Sequence, residues 1–118
     1  MDATTLREIQ TPLKGAYRSD PDAARTPLEA HGCFRDDGIT CTVDGWAGPV
    51  RAGLHAATGG DGNDACSGDM LLDALVACAG VTLRSVATAM GVRLEAVDLR
   101  ADGFFDARGT LEIGRAHV

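Results

Sequence analysis

The chain has 118 residues, 45% of them hydrophobic, a composition that suits one ordinary globular domain and leaves no room for two. Seventeen acidic residues against eleven basic ones give a net charge of −6, which repels phosphate backbones and argues against nucleic acid as a partner. Aromatic residues are only 4%, so Ala, Val, Leu and Gly must fill whatever core exists. Lys14 is the single lysine among the basic residues; this arginine skew reads as GC-rich coding and suggests a bacterial source. The first 17 residues contain no apolar run long enough for a signal peptide, so a cytoplasmic location with reduced thiols is expected. Cys33, Cys41, Cys66 and Cys78 form no Cys-x-x-Cys pair, which removes the usual zinc and dithiol signatures.

In chain order, Leu6, Ile9, Leu13 and Tyr17 recur at helical spacing. Pro12 is expected to kink that helix or restrict it to its second part. Residues 18–27, with Asp20-Pro21 and Thr26-Pro27, read as a polar connector. Alternation then takes over. Leu28, Ala30, Gly32 and Phe34 form a strand pattern, Asp36-Asp37-Gly38 is a turn signal, residues 39–43 supply the return strand, and residues 50–55 a third. The result is an antiparallel meander.

Residues 57–64 form a Gly-rich loop, and Ser67 stands as N-cap before an apolar helix over residues 70–90 that stops at Gly91. Such a helix would span about 35 Å, enough for a bilayer, but Asp69, Asp73 and Arg84 interrupt it, so a buried core helix is expected rather than a membrane span. Residues 92–101 alternate as a further strand, with another after the turn at residues 103–108. One back-translation of the final Glu-Ile-Gly-Arg-Ala-His-Val reproduces a widely used sequencing-adapter sequence, so residues 112–118 read as a non-native tail and His117 receives no role.

Four groups of residues could carry chemistry. Cys78 centres a small-residue, mostly apolar face of the long helix, with Asp69, Asp73 and Arg84 on the far side; taken alone, such a thiol is an inert core residue. Cys66 lies just before the helix start, near its positive end, where a thiolate is stabilised; the plainer reading is an exposed loop cysteine. A three-residue turn at Asp36 to Gly38 would set Cys33 opposite Cys41, beside His31, and with His55 these could ligate zinc; hairpin packing is the simpler account. The loop Gly59-Gly60-Asp61-Gly62-Asn63-Asp64 lacks the Gly-Lys-Ser/Thr of a phosphate loop, and Leu72 stands where a calcium loop needs its Glu.

The segment running from Gly53-Leu-His-Ala-Ala-Thr-Gly-Gly-Asp-Gly through Cys66-Ser-Gly-Asp-Met-Leu-Leu to Ala-Cys78-Ala-Gly-Val-Thr-Leu resembles the OsmC/Ohr family of bacterial hydroperoxide-reducing proteins. It is most similar to the OsmC-like branch, over about residues 6–111. Residues 1–111 are therefore expected to be a partial domain of that kind. The resemblance implies an α+β fold, an antiparallel sheet with a long buried central helix, in an intertwined homodimer whose active sites lie at the subunit interface. It implies that Cys78 is the peroxidatic cysteine: its thiolate attacks the peroxide, becomes a sulfenic acid, and is trapped as a disulfide by a second cysteine. Family members carry that second cysteine in their C-terminal part, and none of Cys33, Cys41 and Cys66 matches its position. The family's supporting arginine is matched most nearly by Arg35. Its supporting carboxylate falls on Gly68, with Asp69 one position away on the opposite helix face. A dithiol or lipoyl-type reductant follows from the same resemblance, with no cofactor and no metal. The competing reading is a non-catalytic dimeric module of the same fold that binds a small lipophilic ligand with Cys78 merely packed.

Overall fold

A computed structural model describes residues 1–114; the end of the expected tail, His117 included, lies outside the described residues. The backbone of the described residues divides into two units, Met1–Leu28 with Val76–Arg100, and Glu29–Leu75 with the described stretch from Ala101 onward. One long helix begins in the second and ends in the first.

In the first unit, α1 (Ala3–Ser19) starts where the Asp2 carboxylate accepts the N–H of Thr5 at 2.8 Å, the N-cap bond that satisfies one otherwise orphan donor. The helix runs on both sides of Pro12, so the expected restriction to its second part does not occur. One lost backbone bond is outweighed by a capped first turn and by the long helical stretch around it. After a 3-10 turn at Pro21–Ala24, the chain enters the second unit.

There, β1 (His31–Cys33), β2 (Thr40–Gly45) and β3 (Gly48–Gly53) form an antiparallel sheet in the order β1-β2-β3. The meander is as expected, although β1 is only three residues long and leaves out Leu28 and Phe34. The Asp36 carboxylate organises the β1–β2 turn, accepting the Gly38 N–H at 2.9 Å and the Thr40 hydroxyl at 2.6 Å. β2 and β3 meet at a two-residue loop whose Trp46 is wholly exposed, and Gly48 beyond it holds φ +105°, a left-handed conformation suited to glycine. Pairing sets polar Cys33, Thr42, Asp44 and Arg51 on one face and Cys41, Val43, Val50 and Ala52 on the other.

α2 (Ser67–Ala89) is the longest element. Its N-cap is Cys66 rather than Ser67: the Cys66 carbonyl accepts the Met70 N–H at 3.2 Å, and the Asp69 carboxylate reaches back to the Cys66 N–H at 3.2 Å, the reciprocal bond of a capping box. Its C-terminus is a Schellman motif in which Gly91, at φ +69°, donates to Thr88 and Val92 donates to Ala87. By length and apolar composition α2 could cross a membrane, as many core helices of soluble proteins also could.

Two expectations fail beyond α2. Residues 92–101 are not a strand, and residues 107–111 form a short helix, α3 (Ala107–Leu111), capped by Asp106. Alternation makes a strand only where a neighbouring edge can take its N–H and C=O groups. Here the segment instead lies along α2, with Leu99 so close to Gly80 that a Cβ there would come within 3.0 Å of Cδ1. The expected burial of α2 also fails in the single chain. Ala87 is buried, but Leu71, Leu75 and Val81 are 60–72% exposed, left uncovered by the described residues.

Candidate functional site

Cys78 lies in the middle of α2, and its side chain is exposed, whereas Cys33, Cys41 and Cys66 are half-buried. Its Sγ is 4.0 Å from the Thr82 hydroxyl one turn on, the (i, i+4) neighbour that a helix places on the same face. Eleven residues from Ser67, the thiol is too far into the helix for the dipole of its first turn to reach. What the fold supplies at Cys78 is access and a hydroxyl neighbour.

Arg35 follows β1 and turns its guanidinium back along the strand to Asp44, 2.7 Å away. His31 Nδ1 stands 4.0 Å from the same carboxylate. Because His31, Cys33 and Arg35 alternate onto one side and Asp44 pairs with His31 in the register, the guanidinium passes the Cys33 side chain. Contact with the Cys33 thiol first, and with the Asp44 carboxylate next, pushes Arg35 to hold its proton still more firmly. Arg35 is thus engaged within the sheet unit.

Asp69 is engaged as well. The Cys66 thiol donates to it, the Cys66 backbone N–H donates to it, and the carboxyl is held below the usual carboxylate range by these bonds, with a smaller contribution from His55. Along one helix Asp69 and Cys78 are nine residues apart, about half a turn out of phase. Asp69 therefore caps the helix that carries Cys78. Beside it is a cleft of about 300 Å³ lined by His55, Thr58, Cys66, Gly68 and Phe105. The His55 ring meets Phe105 edge-on at 5.2 Å, and its Nδ1 accepts the Ala57 N–H at 3.0 Å. The grouping of His55 with Cys66 and Asp69 was not visible in the sequence, where ten residues, most of them in the Gly-rich loop, lie between the first two. The one available signal was Asp69 three positions after Cys66.

The zinc grouping is not assembled. Cys33 pairs with Thr42, not Cys41, one residue away from the symmetric turn, and a slip of one residue sends Cys41 to the opposite face. There its Sγ lies over Gly32, 2.9 Å from where a Cβ would stand. Among the described residues no group of three or more His, Cys, Asp or Glu side chains is arranged to hold a metal ion.

A comparison with protein families matches residues 60–118 to the model described as OsmC-like protein. The matched stretch holds half of the loop before α2, all of α2 and Cys78. No curated protein matches the chain.

Proposed function

The chain belongs to the OsmC-like family, whose theme is peroxiredoxin-like, oxidative-stress chemistry, and from that premise we propose that it reduces organic or inorganic hydroperoxides through Cys78. The observation that carries the reading is the exposed thiol of Cys78 within the matched helix. In the single chain a peroxide reaches it directly; Leu71, Leu75 and Val81 flank it on the same helix face, so in the homodimer it lies at the subunit interface.

The chemistry balances at one sulfur. The Cys78 thiolate attacks the terminal peroxide oxygen, the O–O bond breaks, the departing alkoxide takes a proton, and the sulfur becomes a sulfenic acid. A dithiol of the lipoyl type then condenses with it, releasing water and forming a mixed disulfide. Its second thiol displaces Cys78 and leaves as a cyclic disulfide. Arg35 is the candidate for orienting the peroxide and Asp69 for holding the start of the helix that carries the thiol. The working unit is a cytoplasmic homodimer that covers the exposed face of α2.

The test is cumene hydroperoxide consumption with dihydrolipoamide as reductant, comparing the wild type with Cys78→Ser and Cys66→Ser. Loss of turnover to the background rate in Cys78→Ser, with Cys66→Ser still active, is expected. Undiminished turnover in Cys78→Ser would sink the assignment and favour a non-catalytic ligand-binding module.

A further inference from the structure

A cleft of about 500 Å³ opens in the first unit between the first turn of α1 and the last turns of α2. Its wall carries Arg84, from the outer part of α2, and Arg93, two residues past the Gly91 cap. Neither guanidinium has an ion-pair partner among the described residues. In a chain of net charge −6, with Arg35, Arg51 and Arg108 each bonded to an aspartate, two unpaired cations lining one concavity form a local reversal of sign. The one acidic side chain in the lining is Asp2, already committed to capping α1. The apolar part of the wall includes Leu6, Ala87 and Leu94, of which Ala87 is buried and the other two half-buried, with Met1 and Val92 exposed at its rim.

The geometry points to a binding site for a small carboxylate with a short apolar body. The volume falls in the range of ordinary small-molecule sites. Two guanidiniums offer the paired N–H donors that a carboxylate accepts in fork geometry. The apolar residues would take a short acyl chain, and the Thr88 and Ala87 carbonyls near the end of α2 are already occupied by the Gly91 and Val92 N–H groups. The site is independent of Cys78 and of the peroxide chemistry proposed above.

Sodium octanoate is the probe, titrated into the full chain by calorimetry and followed by amide shifts, with 1-octanol as the uncharged comparison. Saturable octanoate binding is expected, with shifts at residues 84–94 and residues 2–6. Affinity should fall about tenfold or more in Arg84→Gln/Arg93→Gln, and binding should persist in Cys78→Ser. Both arginines are exposed, so the double variant should keep its far-UV spectrum, and the single variants serve if it does not. Octanol binding as tightly as octanoate, octanoate binding unchanged by loss of both arginines, shifts confined elsewhere, or no binding at all would each overturn the proposal.

Discussion

Asp69 shows how much one carboxylate can hold at the start of a helix. It accepts from both the thiol and the backbone N–H of Cys66, so Asp69→Ala should lower the melting temperature by a few degrees while leaving the chemistry of Cys78 intact in kind. Asp36 does the same at the β1–β2 turn, where the Thr40 hydroxyl, then the Gly38 N–H, hold it below the usual carboxylate range. The sign follows from that direction. A carboxylate more acidic in the folded chain stabilises it above the unfolded pKa, and that contribution is lost as pH falls through the folded value. Thermal stability should therefore weaken below about pH 4, and Asp36→Asn with Asp69→Asn should flatten this acid limb. Of the candidate residues, the sequence pointed to Cys78 only by resemblance, because a cysteine on an apolar face has no local signature of reactivity. The partners of Arg35 and Asp69 were hidden for another reason: they depend on a register and a cap shifted by one residue.

At the level of elements, the long helix and its stop were legible because both are local. The apolar period of α2 and a glycine just beyond it need no tertiary partner to be read, and the Schellman bonds at Gly91 are the physical form of that signal. Gly91→Ala should cost about 1–2 kcal/mol in urea denaturation, since φ +69° crowds a Cβ. The Gly-rich loop looked like a merely flexible lead into the helix, yet a Cβ at Gly60 would lie 1.8 Å from the Leu54 carbonyl oxygen. Gly60→Ala should therefore destabilise by about 1–3 kcal/mol or more, measured the same way. Close approach of two backbones leaves no trace in composition. Residues 92–101 fail for the opposite reason: their alternation is real, but a strand is a relation between two segments and periodicity describes one.

For the whole molecule, the exposed face of α2 sets the expectation. Leu71, Leu75 and Val81 stand 60–72% exposed in the single chain, and fully covering each side chain is worth roughly 1.5–3 kcal/mol. Light scattering at micromolar concentration should give twice the 12.2 kDa chain mass, and Val81→Glu should return it to one chain with its helical spectrum kept; a wild-type mass of 12.2 kDa would refute the homodimer. The hairpin supplies a reporter for such measurements. Trp46 is the single tryptophan and stands wholly in solvent at the β2–β3 loop, so its emission should be red-shifted and readily quenched by iodide even in the native chain. An unfolding curve followed by that indole would register little. Any binding partner that closes over the loop would shift the emission to the blue, turning a poor probe of folding into a sensitive one of assembly.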